Sequence, residues 1–196
     1  MTTNPRKSHT VTLIPGDGIG PEVAQAARCV IDASGVRIEW EEVEAKPPDA
    51  RSADDFSQWE AVKSIRRNGV ALKGPMATPV AEGPPSVNVG LRKELELYAN
   101  LRPVRKLEGF PSRWEHVDLV IVRENTEDLY SGLEHTVIPG VVESLKIITE
   151  KASTRIAKFA FEYAKKHGHR KVHAIHKANI MKLSDGLFLA CARRVA

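Results

Sequence analysis

The stretch Val11-Thr12-Leu13-Ile14-Pro15-Gly16-Asp17-Gly18-Ile19-Gly20-Pro21-Glu22 decides the fold class. A short apolar run breaks into a glycine-rich turn, and Pro21 with Glu22 suits the first turn of a helix, where the N–H that proline lacks would have no partner anyway. This is strand, glycine turn, helix. Downstream, Val23, Ala26, Ala27, Val30 and Ile31 recur at helical spacing, and Gly35 is placed to end the helix. Val36, Ile38 and Trp40 alternate with Arg37 and Glu39, which predicts a strand with one wet face. Ala45 to Asp55, rich in Pro, Asp and Ser, is expected to be a loop. Phe56, Trp59, Val62 and Ile65 mark a second helix ending at Asn68-Gly69, and Val70-Ala71-Leu72 is a short strand running into Lys73-Gly74-Pro75. Strand, helix, strand, helix, strand is the α/β pattern.

After a loop from Thr78 to Pro85, the segment Ser86 to Tyr98 carries Val87, Leu91, Leu95 and Tyr98 on one helical face, with Ser86 placed to cap it. Leu119 to Val122 is an apolar strand, and Val137 to Ile148 is rich in Val and Ile around Pro139-Gly140. Ile156, Phe159, Ala160 and Tyr163 restore the helical period until Gly168. Val172 to Ile175 is expected to be a strand, and Leu183, Leu187 and Phe188 begin a last helix.

Composition bounds the function classes. The 196 residues are 42% apolar and 28% charged, and no stretch approaches the roughly 18 apolar residues of a membrane span, so a soluble protein is expected. A formal charge of +4 and a pI near 9.1 invite a nucleic-acid partner, but the basic residues are mixed with 25 acidic ones, and a small anionic substrate accounts for them as well. The opening MTTNPRKSHT has no apolar core, so no secretory signal is read there and a cytoplasmic location is expected. Cys29 and Cys191 both fall in helical segments, which suits reduced, buried thiols.

Five constellations bear on chemistry. The cluster G-D-G-I-G sits where a dinucleotide fingerprint would, but it lacks the G-x-G-x-x-G spacing, so a tight turn needing positive φ and a nucleotide contact both remain open. In Ser86-Val87-Asn88-Val89-Gly90-Leu91-Arg92-Lys93, Asn88 and Arg92 are four apart on one helical face. With the Ser86 hydroxyl and the N–H groups of the first turn, they make either a carboxylate site or an ordinary capped helix. Arg102 follows that helix and Arg123 ends an apolar strand. Neither lies on an obvious solvated face, and a permanently charged guanidinium there needs an anionic partner. Three such arginines imply a substrate with several carboxylates. Tyr130 in R-E-N-T-E-D-L-Y-S-G and Lys177 in H-K-A-N-I-M-K stand at segment ends, where a tyrosine and a lysine can serve as acid and base. His173 and His176 form a pair without further ligands, a weak metal signal.

Taken in order, these pieces resemble the isocitrate and isopropylmalate dehydrogenase family. The matching runs are L-I-P-G-D-G-I-G-P-E-V from Leu13, V-A-L-K-G-P-M-A-T-P-V from Val70, S-V-N-V-G-L-R-K-E-L-E-L-Y-A-N-L-R-P-V from Ser86, V-R-E-N-T-E-D-L-Y-S-G-L-E-H from Val122 and K-A-N-I-M-K from Lys177. The resemblance implies a two-domain α/β fold unlike a Rossmann dehydrogenase, with residues 1–98 in the large domain and 99–196 in the small, dimer-forming domain. The resemblance also implies that the C-terminal part of the large domain lies outside this sequence.

The resemblance further implies that Ser86, Asn88, Arg92, Arg102 and Arg123 hold substrate carboxylates. Tyr130 and Lys177 match the acid and base, the lysine serving the neighbouring subunit, and Thr78 and Asn179 match positions beside the nicotinamide. NAD or NADP is the implied cofactor. Mg²⁺ or Mn²⁺ is implied too, with its aspartate ligands expected beyond Ala196 and none assigned here. The hydroxyl and amide of Ser86-Val87-Asn88 favour isocitrate over isopropylmalate, tartrate or homoisocitrate. A homodimer or a related subunit is the expected partner, with no nucleic acid and no membrane. A noncatalytic regulatory subunit, or an inactive fragment, is the competing expectation. The run Ala81-Glu82-Gly83-Pro84-Pro85 departs from the family pattern and should stiffen the approach to Ser86.

Overall fold

The computed structural model describes residues 8–47, 55–78 and 86–196. Most of the expected Ala45 to Asp55 loop and Ala81 to Pro85 lie outside them. The chain divides into two compact units, Met1–Leu95 and Glu96–Ala196.

In the first unit, β1 (His9–Ile14) is the middle strand of a parallel sheet, flanked by β2 (Ile38–Glu42) and β3 (Ala71–Lys73). A middle strand is covered on both faces, so Val11, Leu13 and Ile14 are buried together with Thr12. The Thr12 hydroxyl is satisfied by Ser64 Oγ at 2.7 Å and by Asn68, whose Nδ2 also donates to Glu41. Both partners belong to α2 (Glu60–Asn68), which Gly69 ends at φ +74. Helix α1 (Gly20–Ala33) starts with proline in its first turn, as expected, but its apolar face is left open: Val30 is 73% exposed, and only Gly20 and Ala24 are buried. Cys29 is exposed on the same helix, which corrects the expectation of a buried thiol, whereas Cys191 is buried.

The glycine cluster is explained by its own packing. Gly16 has φ +84, and a Cβ there would lie 1.9 Å from the Pro75 carbonyl oxygen. A Cβ on Gly74 would lie 2.0 Å from the Pro15 carbonyl oxygen, so the two loops pack backbone to backbone.

Helix α3 (Val87–Glu94) is shorter than the expected Ser86 to Tyr98 segment. It stops at Leu95, and Glu96 takes φ +48. Val87, Leu91 and Leu95 do share a face, packed with Phe56, Trp59 and Val62. Tyr98 leaves that face for the second unit, where its ring meets Phe159 edge-on at 6.2 Å and Arg155 lies 4.6 Å above it.

In the second unit, β4 (Ala99–Arg105) pairs antiparallel with β5 (Asp118–Glu124). Strand β4 does not show in the sequence because Arg102-Pro103 interrupts its apolar pattern, and proline is tolerated there because, among the described residues, no second strand pairs with β4. β6 (Glu134–Ile138) and β7 (Val141–Ser144) form a hairpin around Pro139-Gly140, with Gly140 at φ +84. Helix α4 (Glu150–Lys166) is capped by Thr149 and packs on α5 (Ser184–Val195), burying Ala152, Ile156, Ala157, Cys191 and Ala192.

The expected strand Val172 to Ile175 does not form. Apolar, β-branched residues favour a strand only where a neighbour can pair with it, and among the described residues none does. Ile175 is consequently 86% exposed. Among the described residues no helix is long and apolar enough to cross a membrane.

Candidate functional site

On the first unit, the candidate residues gather where α3 begins. Ser86 occupies the position before the helix but does not cap it. Its hydroxyl instead shares a hydrogen bond of 3.1 Å with Thr78 Oγ1, which corrects the capping expectation. Asn88 Nδ2 donates to the Met76 carbonyl oxygen at 3.3 Å, so the first turn of α3 is tied twice to the strip after β3. Arg92 lies half-buried one turn on. Burial holds the Lys73 ammonium below its usual pKa; the nearby Arg92 charge pushes the same way and Asp17 opposes it. Two cations that disfavour each other's charge create a local preference for an anion. Sequence reasoning gave Lys73 no role, although a lysine closing a short strand just before Gly-Pro was the available signal.

On the second unit, the β4–β5 register sets Asn100 opposite Arg123 and Arg102 opposite Ile121. Directly opposed residues share a face and side chains alternate along a strand, so Asn100, Arg102 and Arg123 lie on one face of the sheet. Arg102 is exposed, contrary to expectation, and its Nε donates to Asn100 Oδ1 at 3.1 Å. Arg123 is held more tightly. Its Nη2 donates to Oδ1 of the buried Asn125 at 3.2 Å, and its guanidinium lies 5.2 Å from the centre of the Tyr130 ring. Its Nε is buried without a hydrogen-bond partner. A buried N–H of a charged group without an acceptor is costly, and a ligand oxygen would relieve it.

Tyr130 sits in a single turn of 3-10 helix, Leu129–Ser131, opened by Asp128 and closed by Gly132 at φ +67. Asp128 itself takes φ +64, a strained conformation for a residue with a side chain. It is held there by its N–H donating to the Ile147 carbonyl at 2.9 Å and by its Oδ1 accepting from Leu129 N at 2.8 Å. The second turn, at Lys177, follows the unpaired Val172 to Ile175 segment. The Lys177 carbonyl accepts from Ile180 N and Met181 N, and the Lys177 N–H donates to Asp185 Oδ2 at 2.6 Å. The side chains of Lys177 and Asn179 are exposed. His176 Nδ1 accepts from Ala178 N at 3.1 Å, a local turn contact. Among the described residues no three His, Cys, Asp or Glu side chains are grouped to hold a metal ion.

A cavity of about 620 Å³ opens inside the second unit, lined among others by Arg123, Tyr130, Lys146, His173, Asp185 and Phe188. It lies in the usual size range of small-molecule sites, about 300–1,000 Å³. The structure thus brings Arg123 and Tyr130 together on one cavity, whereas Arg102 and Lys177 do not line it. Asp185 and Lys146 line it and were missed by sequence reasoning. Asp185 is 5% exposed and its carboxyl is held below the ordinary range, chiefly by the Lys146 hydrogen bond, against burial, with help from the Lys177 N–H.

The isocitrate/isopropylmalate dehydrogenase family model matches residues 10–196. The mitochondrial NAD isocitrate dehydrogenase catalytic subunit 5 of Arabidopsis thaliana is 57% identical over 187 residues, which are 95% of this chain and 50% of that protein. The chloroplastic 3-isopropylmalate dehydrogenase of Solanum tuberosum is 56% identical over 185 residues, 94% of this chain and 52% of that protein. The crystal structure of isocitrate dehydrogenase from Methylococcus capsulatus superposes with a TM-score of 0.85 at 44% identity, covering 95% of this chain and 56% of that one. The chain therefore spans about half the length of the curated relatives it matches. The mitochondrial and chloroplastic relatives overturn the expectation of a cytoplasmic location. The α/β architecture is the one these dehydrogenases share and not the Rossmann arrangement, and the chain belongs to the isocitrate/isopropylmalate dehydrogenase family.

Proposed function

We propose that this chain carries the carboxylate-binding and acid–base residues of an NAD-dependent isocitrate dehydrogenase. The reaction takes isocitrate and NAD⁺ to 2-oxoglutarate, carbon dioxide and NADH. The observation that carries this reading is Arg123, a half-buried guanidinium with an unpartnered Nε, set against the Tyr130 ring on the rim of a ligand-sized cavity. A ligand oxygen completes that hydrogen bond, and a carboxylate oxygen adds charge pairing with the guanidinium.

Ser86, Asn88, Arg92, Arg102 and Arg123 are assigned to the substrate carboxylates, and Thr78 and Asn179 to the nicotinamide end of the cofactor. Lys177 takes the hydroxyl proton as hydride leaves C2. The resulting 3-carboxy ketone loses carbon dioxide, and Tyr130 protonates the enolate carbon. A divalent cation would steady that enolate, but the described residues do not fit a complete metal site, so its ligands are assigned outside them. NAD is preferred to NADP because relatives 50% to 57% identical to this chain are named NAD isocitrate dehydrogenase. Several of those relatives are named as subunits, which favours a homodimer or an assembly with a related subunit. The division between large and small domains is placed at Tyr98.

The test is calorimetric titration of the 196-residue chain with isocitrate, with isopropylmalate in parallel because the Solanum tuberosum relative bears that name. Isocitrate should bind more tightly, and Arg123→Met should weaken it at least about tenfold, the loss of one hydrogen bond to a charged group. NAD reduction with Mn²⁺ is read on the same samples. Equal affinity of the Arg123→Met variant, or preference for isopropylmalate, would overturn the reading.

A further inference from the structure

We propose that Asn125 is a positioning residue that orients the Arg123 guanidinium while leaving its charge free for a ligand carboxylate. The purpose rests on the dehydrogenase reading, because an anionic substrate is what uses that charge. Arg123 is the penultimate residue of β5, and Asn125 follows the strand directly. Residues two apart on an extended chain point to the same side, which brings the amide to the guanidinium. Asn125 is 4% exposed, and its Oδ1 accepts from Arg123 Nη2 at 3.2 Å. Arg123 and Tyr130 line the cavity of the second unit, and Asn125 does not. The amide therefore acts on a ligand through Arg123 and not by touching it.

Charge explains why an amide stands there. Arg123 is followed closely by three carboxylates, those of Glu124, Glu127 and Asp128. Each is engaged elsewhere. Glu124 accepts from the Thr126 hydroxyl at 2.6 Å, from the Thr126 and Glu127 N–H groups at 2.8 and 3.0 Å, and from Arg155 Nη2 at 3.4 Å. Glu127 accepts from the N–H and the hydroxyl of Thr149 at 2.8 and 2.7 Å. Asp128 accepts from Leu129 N at 2.8 Å and lies 3.8 Å from the Lys146 ammonium. Among the described residues Arg123 forms no ion pair; its contacts are the neutral amide of Asn125 and the Tyr130 ring, 5.2 Å away. A carboxylate at position 125 would hold the guanidinium and cancel its charge, whereas an amide holds it and cancels nothing. Nε stays buried and unpartnered, a donor left for an incoming oxygen.

The test uses the 196-residue chain, with isocitrate binding followed by calorimetry and thermal unfolding by circular dichroism. Asn125→Asp keeps the acceptor and supplies a counter-ion. It should melt no lower than wild type and yet bind isocitrate at least about tenfold more weakly. A residue that only braced the loop would lose both or neither, and either result in the folded variant overturns the inference. Asn125→Ala should weaken binding roughly fivefold, the net value of one hydrogen bond, but less than about twofold when Arg123→Met is already present. If the two losses multiply in the double variant, Asn125 does not act through Arg123. Should Asn125→Asp not fold, that cycle alone decides. Failure of the dehydrogenase reading shows separately, in the Arg123 Nε–H resonance, identified by its loss in Arg123→Met. The dicarboxylate malonate is the probe, and it should shift this resonance in wild type at concentrations at least about tenfold lower than in Asn125→Asp. That difference, without isocitrate binding in wild type, rejects the dehydrogenase reading and keeps the role of Asn125. An equal malonate response in both chains rejects the role.

Discussion

Leu91→Ala gives the sharpest check on how α3 is held. Leu91 is 4% exposed and is the contact of α3 with Trp59 and Val62, themselves 3% and 0% exposed. The substitution removes three carbons, about 2.4 kcal/mol of transfer free energy at about 0.8 kcal/mol per CH₂. A cavity term adds to this, and Leu-to-Ala changes in cores span about 2–5 kcal/mol. Phe56, Val87, Leu95 and Ala45 are only partly buried around the site and can close in, which favours the lower half of that range, about 3 kcal/mol. Alanine's better helix propensity returns only about 0.2 kcal/mol. The Arg66–Glu94 pair at 2.5 Å also ties α2 to α3, but it is exposed and adds little. Urea unfolding followed by circular dichroism, with a slope of about 1.5 kcal/mol per M, should show a midpoint lower by about 2 M. Val30→Ala, on the exposed face of α1, should stay within about 0.5 kcal/mol. A Leu91→Ala shift below about 0.5 M would refute the packing that places Asn88 and Arg92.

Two further outcomes follow from burial and charge. In the native chain one thiol should react with a maleimide, since Cys29 is exposed and Cys191 buried, and the second should react only after unfolding; two native labels would contradict the packing of α5 on α4. Burial opposes ionisation of Glu124, but the Thr126 hydroxyl, two backbone N–H groups and Arg155 outweigh it and hold its carboxyl below the usual value. A depressed pKa contributes stability that is present above the unfolded value of about 4.3 and is lost as pH falls through the folded one. Removing Arg155 should raise the folded pKa, so Arg155→Met should lose stability at a higher pH on acid titration in urea; acid curves parallel to wild type would contradict the Glu124–Arg155 coupling.

The fold was legible where local chemistry and long-range packing agree. Val11, Leu13 and Ile14 are apolar because β1 is the middle strand, with Thr12 buried between them, and Gly16 and Gly18 mark the turn because both adopt positive φ. It was illegible where they part. Tyr98 keeps helical spacing with Leu91 but packs against Phe159, because Glu96 reverses the chain before it. Val172 to Ile175 has strand composition but, among the described residues, no partner, and composition cannot report whether a neighbour is present. Arg102-Pro103 hid a strand that, among the described residues, pairs on one side only and so tolerates the proline.

The site divides along a different line. The residues proposed to touch a ligand are polar groups at or near element ends, and Ser86, Arg92, Arg123, Tyr130 and Lys177 stand out in the sequence for that reason. Residues that hold those groups in place look like background. Asp185 reads as an ordinary acidic residue in the first turn of a helix, where it favours the dipole, and nothing local says that its two oxygens serve Lys146 and the Lys177 N–H. Lys146 gives a stronger hint, a lone charge between Leu145 and Ile147, but the hint demands only some acid and is silent on which. That asymmetry is physical. A ligand-facing residue is defined by its own chemistry, whereas Lys146 is defined by a distance to partners 18 and 39 positions away. Only the folded chain supplies that distance, so the Lys146–Asp185 pair is where sequence reasoning stops and geometry has to begin.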